Sequence, residues 1–226
     1  MRISIIHPSR NRPQQAYQTY LNWSRKCDDL SNIEYLLSLD VSDNGGIDYA
    51  NTFEERNVKG HAVLRDNNSA IEAINNAAKV ATGDLFIVVS DDTDCFQGWD
   101  TALLNELKGK EDFLVKCQDG IQPILITMPI MDRAYYNRFG YIYHPDYKHM
   151  ACDVELTAVG LMLGRVINSN LLFEHLHYST GKTPKDAINE KNDLTYAHGD
   201  MVLGEHLKNN FGIENPLIQY NEIKWH

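Results

Sequence analysis

The sequence predicts an α/β domain built on a mostly parallel, doubly wound sheet with right-handed crossovers. Three observations carry that expectation. Apolar, β-branched runs alternate with amphipathic helical stretches over residues 1–90, in the order strand, helix, strand, loop, strand, helix, strand. The run Phe86–Val89 is apolar at every position, as strands buried on both faces are. Finally, two runs end in carboxylates, Asp40 in one case and Asp91, Asp92 and Asp94 in the other. The carboxyl ends of parallel strands are where open α/β sheets take their ligands.

Taken in order, Arg2–His7 is a first strand carrying Ile3, Ile5 and Ile6 and closed by Pro8. Asn11-Arg12-Pro13 opens a helix, because proline in the first turn gives up an N–H that has no partner there anyway. Ala16, Tyr17, Tyr20, Leu21 and Trp23 follow at helical spacing. Ile33–Leu39 is the second strand, with Ser42-Asp43-Asn44-Gly45-Gly46 as its loop, and His61–Leu64 the third. Ser69-Ala-Ile-Glu72 fits a capping box at the head of an alanine-striped helix, and Gly83 is expected to close that helix in a left-handed conformation.

Beyond residue 90 the pattern predicts a helix over Trp99–Leu107 and a strand over Asp112–Cys117. Pro123–Ile130 reads as an extended segment that Pro129 confines to a sheet edge or strand end. Met131–Phe139 reads as a helix capped by Asp132, Tyr141–Met150 as a loop, and Cys152–Leu163 as a helix stopped by Gly164. Val166–Phe173 is expected as the last strand, followed by a polar loop through Asn192. A final helix from about Asp200 would bury Met201, Leu203, Leu207 and Phe211. Nothing marks a linker, so residues 1–226 read as one domain, with a ligand-binding half over 1–100 and a second half over 101–226.

The 226 residues carry a net charge of −10, with 43% hydrophobic and 23% charged residues. Such a balance argues against nonspecific nucleic-acid binding, which needs clustered Lys and Arg. No apolar run approaches the length of a membrane span, and Met1-Arg-Ile-Ser-Ile-Ile lacks the apolar core of a signal peptide. Cys27, Cys95, Cys117 and Cys152 are widely spaced and form no CxxC pair. The expectation is a cytoplasmic protein with reduced thiols.

Carboxylate oxygens suit hard cations, and Mg²⁺ in particular is held by one or two carboxylates together with substrate phosphates. Asp91, Asp92 and Asp94 at a strand end fit that chemistry; solvated turn residues are the plain alternative. His175 and His177 follow the last strand with one residue between them, so on an extended segment both point to the same side, with His177 slightly preferred as a ligand. His7, His61, His144, His149, His198 and His206 show no partner pattern. Trp99 reads as a packing residue, whereas Tyr141, Tyr143 and Tyr147 could pack or stack on a sugar.

Together, Pro8-Ser-Arg-Asn-Arg-Pro13, Asp40, the helix ending Ala81-Thr-Gly-Asp84 and Ser90-Asp-Asp-Thr-Asp94 before Gly98-Trp99 resemble the family 2 nucleotide-sugar glycosyltransferases. The likeness covers about the first hundred residues. It implies a GT-A fold, Rossmann-like and mostly parallel, whose C-terminal half is an acceptor-side elaboration. It further implies a nucleoside-diphosphate-sugar donor, a Mn²⁺ or Mg²⁺ ion, and inverting transfer to an acceptor hydroxyl. The acceptor could be a glycan, a lipid-linked sugar, a protein or a modified base.

By that resemblance Pro8, Ser9, Arg10 and Arg12 line the nucleotide pocket, Asp40 meets the base or ribose, and Asn75 belongs to the donor site with Asp91. The Asp-x-Asp metal seat could be Asp92–Asp94 or Ser90–Asp92, and Asp92 belongs to both. A His after the last strand can complete the metal site, so His175 and His177 join it. Asp153 is the expected base with Glu155 second, although Asp153 could equally be an N-cap. A nucleotidyltransferase would need a Gly-rich phosphate loop, which His7–Pro13 lacks. A metal-dependent hydrolase and a noncatalytic nucleotide-sugar-binding module are the other rivals.

Overall fold

A computed structural model of the protein describes residues 1–43, 48–49 and 61–225. Its elements in chain order are β1 (Ile3–Pro8), α1 (Pro13–Arg25), β2 (Ile33–Asp40), β3 (His61–Arg65), α2 (Ala70–Val80), β4 (Leu85–Val88) and β5 (Thr93–Asp94). There follow α3 (Trp99–Glu106), β6 (Leu114–Gln118), β7 (Ile130–Asp132), α4 (Arg133–Phe139), α5 (Cys152–Met162), β8 (Val166–Leu172), β9 (Glu174–His175), α6 (Ala187–Asp193) and α7 (Tyr196–Lys208). Asn44, Gly45 and Gly46 of the loop after β2 lie outside the described residues.

Seven strands form one sheet in the order β3-β2-β1-β4-β7-β6-β8. All neighbours run parallel except β7, which is antiparallel to both β4 and β6. Pro129 therefore precedes a short strand in the sheet interior; only the strand-end reading of this segment applies, since three residues from Ile130 onward do the pairing. The sheet is buried on both sides. Ile3, Ile5, Leu85 and Ile87 face a core with Trp23, Trp99 and Phe173, while Ile6, Phe86 and Val88 face Ile71, Ile74, Met131 and Leu156. This period-2 division into two apolar faces is what continuous apolar strands provide.

Helix ends follow the local chemistry with four departures. Ser69 Oγ accepts the Glu72 N–H, but the Glu72 carboxylate reaches back to the Asn68 N–H, so the reciprocal half of the capping box is displaced by one residue. Gly83 does not close α2, whose C-cap is the extended Ala81. Glycine is needed there for close approach: a Cβ would lie 2.7 Å from the Ser4 backbone nitrogen. The final helix starts at Tyr196 and buries Gly199 and Val202, leaving Met201 and Leu207 exposed. Within the expected polar loop, α6 forms under a capping box of Asp186 and Asn189. As expected, Asp132 caps α4 and Gly164 turns left-handed after α5. No described helix is long and apolar enough to cross a membrane.

Candidate functional site

The carboxyl ends of β1, β2 and β4 converge with residues 90–94, and a second, two-stranded ribbon builds the site there. β5 pairs antiparallel with β9, setting Thr93 opposite His175 and Asp94 opposite Glu174. The Leu176 N–H donates to the Asp92 carbonyl at 2.7 Å and extends the same ribbon. This pairing joins segments eighty residues apart and was absent from the expected element list, because a two-residue strand has no period to read. Val166–Phe173 is thus not the last extended segment.

Three neighbouring carboxylates have three different environments. Asp91 faces inward: His7 Nε2 lies 2.9 Å from Oδ1, and Ser9 Oγ donates to Oδ2 at 3.0 Å. His7 is itself fully buried and bonded through Nδ1 to the Tyr35 hydroxyl, so it has a structural partner on each side, which the sequence pattern did not reveal. Asp94 is turned to α1, where Lys26 Nζ donates to it at 2.6 Å and to the Cys95 carbonyl at 2.7 Å. Asp92 accepts from Ser90 Oγ at 2.5 Å and lies 3.4 Å from His175 Nε2.

Burial opposes ionisation of Asp92, but the hydrogen bond and charge of His175, together with Ser90 and Arg12, outweigh it and hold the carboxyl well below its usual range. Burial likewise opposes the charge on His175, and Asp92 reverses that and raises its pKa. His177 does not share this contact. Its Nδ1 is engaged by Ser179 Oγ at 2.8 Å and its ring packs at 5.1 Å from His175. The two histidines share a side, as spacing implied, but His175 and not His177 meets the carboxylate.

A cleft of about 280 Å³ opens beside Asp92 and Asp94, with Gln14, Gln18 and Asn22 of α1 across from them. Arg12 precedes α1 and reaches Asp91. Its guanidinium makes two bonds to Asp186, at 2.6 and 2.8 Å, and lies 3.7 Å from Asp91. Arg10 bonds Ser42 and lies 3.8 Å from Asp40. Pro8 ends β1 opposite Ser38, and Ser9 also bonds the Tyr49 hydroxyl.

Two residues expected at the donor site are otherwise engaged. Asn75 is buried on the α2 face of the sheet; its Nδ2 donates to the Tyr143 carbonyl and its Oδ1 accepts the Ile142 and Tyr143 amides. The side chain pins the loop before α5 with three of its four hydrogen-bonding positions, one Nδ2 proton remaining. Asp40 takes the Asn67 N–H at 2.7 Å, the Ser42 N–H at 2.7 Å and the Ser42 hydroxyl, leaving Arg10 as its outward partner.

The α5 carboxylates point apart. Two residues on a helix differ by about 200° around its axis. Ala151, in a left-handed conformation, is the N-cap, so Asp153 sits one step inside the helix rather than capping it. Burial raises the Asp153 carboxyl pKa; His175 is near enough to lower it and Asp119 to raise it. Glu155 lies on the other side, accepting from Tyr147 Oη at 2.7 Å and bonded to His206 Nδ1 at 2.7 Å. Its reading as a second candidate base does not fit those partners. Tyr143 and Tyr147 are buried packing groups, as is Trp99, whose Nε1 donates to the Trp23 carbonyl.

Two further groups at the site carried no sequence signal. Asp119 is buried, its carbonyl accepts the His175 N–H, and its carboxylate organises Ile121, Gln122 and Thr127. Lys26 neutralises Asp94 across the cleft.

Solved structures share this architecture at low identity. A mannosyltransferase, PcManGT from Pyrobaculum calidifontis in complex with GDP-Man and Mn2+, is 16% identical with a TM-score of 0.70, covering 95% of this chain and 65% of that one. S. aureus TarS is 14% identical with a TM-score of 0.63, covering 96% of this chain and 46% of that one. Its fragment 1–349 in complex with UDP is 16% identical with a TM-score of 0.61, over 95% and 73%. The chain thus spans about two thirds of the mannosyltransferase and under half of full-length TarS. No curated protein sequence matches it. The fold is the mostly parallel, Rossmann-like GT-A fold of these transferases. The family model for glycosyl transferase family 2 matches residues 4–183, and the chain belongs to that family.

Proposed function

We propose that the protein transfers a sugar from a nucleoside-diphosphate donor to an acceptor hydroxyl, with inversion at the anomeric carbon. The observation that carries this reading is the Asp92–His175 pair, held at the carboxyl end of the parallel strands by the β5–β9 ribbon with Asp153 close by. One carboxylate oxygen and one imidazole nitrogen facing each other form a donor set that suits a divalent ion such as Mn²⁺. Asp92 and His175 would hold it, with Ser90 orienting Asp92. Bound there, the ion would supply charge neutralisation for a departing diphosphate. The mannosyltransferase of the same fold in complex with GDP-Man and Mn2+ agrees with this assignment.

Asp91 and Asp94, already matched by His7, Ser9 and Lys26, act in this reading as supports, which favours the Ser90–Asp92 register. Arg10 and Arg12, beside Asp40 and Asp91, are in this reading the cations that meet the nucleotide. Asp153 is the base: the acceptor hydroxyl gives its proton to the carboxylate as its oxygen bonds the anomeric carbon and the diphosphate leaves with the electron pair of the broken bond. Burial, by raising its pKa, makes Asp153 a stronger proton acceptor than an exposed carboxylate.

Incubation with a panel of nucleotide sugars and Mn²⁺ or Mg²⁺ should release nucleoside diphosphate. Asp153→Asn should keep donor affinity and lower turnover by roughly 10²–10⁴-fold, the range for loss of a general base. Binding of a donor with no release under any acceptor would instead identify a noncatalytic module.

A further inference from the structure

On the far side of α5 from Asp153, His144, Asp146 and His206 bring one ligand atom each within 4.8 Å of one another. The loop Tyr141–Met150 supplies His144 and Asp146, and α7 supplies His206. His206 Nε2 lies 3.1 Å and His144 Nδ1 3.7 Å from Asp146 Oδ2, with the two rings 4.2 Å apart between centroids. We propose that these three residues bind a zinc ion, a site separate from the donor cleft, and that the ion fastens the Tyr141–Met150 loop to α7.

Ligand chemistry selects the metal. Two imidazoles and one carboxylate suit Zn²⁺, whereas Mg²⁺ and Ca²⁺ take oxygen ligands. Tetrahedral bonds of roughly 2.0–2.2 Å set ligand atoms about 3.3–3.6 Å apart; the His206–Asp146 pair, at 3.1 Å, already meets this, and His144, at 3.7 Å from Asp146, needs a small adjustment. Asp146 and His144 can make it, because their side chains are 61% and 27% exposed. The fourth position is open to water on that exposed side.

A buried carboxylate already backs one of the ligands, and this separates the cluster from a chance meeting of polar side chains. Glu155 Oε2 engages His206 Nδ1 at 2.7 Å and is itself held by the Tyr147 hydroxyl at 2.7 Å. That arrangement leaves Nε2 for Asp146, 3.1 Å away, where a metal would replace the shared proton. A carboxylate behind a ligating histidine fixes its tautomer and raises its basicity, and such partners are worth 10–100-fold in metal affinity. Glu155 is buried, a cost that its hydrogen bonds with Tyr147 and His206 offset.

The test uses ZnCl₂ against a competing chromophoric chelator, with the donor site silenced by Asp92→Asn. Asp92→Asn protein should bind one Zn²⁺, and its unfolding midpoint should rise with zinc concentration. Adding His144→Ala should abolish both, and Glu155→Gln should weaken binding by about 10–100-fold. Co²⁺ should give the visible bands of a four-coordinate ion in Asp92→Asn protein and lose them with His144→Ala. If His206→Ala does not fold, His144, whose side chain is partly exposed, still decides the matter. Absence of zinc binding by Asp92→Asn, or equal binding with and without His144, would overturn the proposal.

Discussion

Strands β2 and β4 both end in carboxylates at the same edge of one sheet, yet the two ends do different work. Asp40, after β2, accepts backbone N–H groups from Ser42 and Asn67 and the Ser42 hydroxyl. Asp92, after β4, takes one hydroxyl and faces one imidazole. Burial opposes charge at Asp40, and hydrogen bonds from Ser42 and Asn67 with the charge of Arg10 outweigh it. At Asp92 the compensation comes chiefly from a titratable side chain, His175. A carboxylate saturated by backbone donors holds the chain; one with acceptor capacity left can take a ligand. Two carboxylates at the same sheet edge thus differ in the acceptor capacity they have left.

Asp92→Asn tests this distinction with the largest expected effect. Turnover should fall by at least about 10²-fold, since metal charge stabilisation is worth several kcal/mol. The unfolding midpoint should move by only a few degrees. Asp94→Asn, which removes the Lys26 partner, should cost far less turnover, and equal losses in the two variants would restore the Asp92–Asp94 register.

The contrast also marks where the sequence was legible. Strand and helix types followed from apolar period and from caps such as Pro13, Ser69 and Asp132, all of which act within a few residues. The β5–β9 ribbon joins Thr93 and Asp94 to His175 and Glu174 some eighty residues further on, and no local pattern encodes it. Choosing between His175 and His177 needed that ribbon. Asn75 came to the donor site by resemblance alone, and its bonds to Ile142 and Tyr143 form only in the folded chain. Glu155 and Asp153 differ because a step of two around a helix reverses direction.

Asp40→Asn should invert the pattern. Replacing a charged acceptor that serves buried amides by a neutral one costs about 1–3 kcal/mol, measured as a lower urea midpoint with unchanged slope. Turnover at saturating donor should change by less than about tenfold. A collapse of donor affinity at unchanged stability would make Asp40 a nucleotide ligand rather than a brace.

The smallest effect is read in acid. Glu34, near the amino end of β2, is buried, and burial opposes its charge; the Ser4 hydroxyl, the Thr82 N–H and hydroxyl, and Arg2 outweigh that and lower its pKa. Asp40, at the other end of the same strand, is lowered in the same way. A group whose native pKa is depressed contributes stability above its unfolded value, about 3.9 for Asp and 4.3 for Glu, and loses it as pH falls through the native value. Below about pH 4.5 such carboxylates bind more protons in the unfolded chain than in the native one, so urea midpoints should decline there. Glu34→Gln should make the decline shallower, because one of the depressed carboxylates no longer titrates. A decline that begins instead between pH 6 and 7 would assign the acid sensitivity to histidine, and the brace at the two ends of β2 would then contribute little to it.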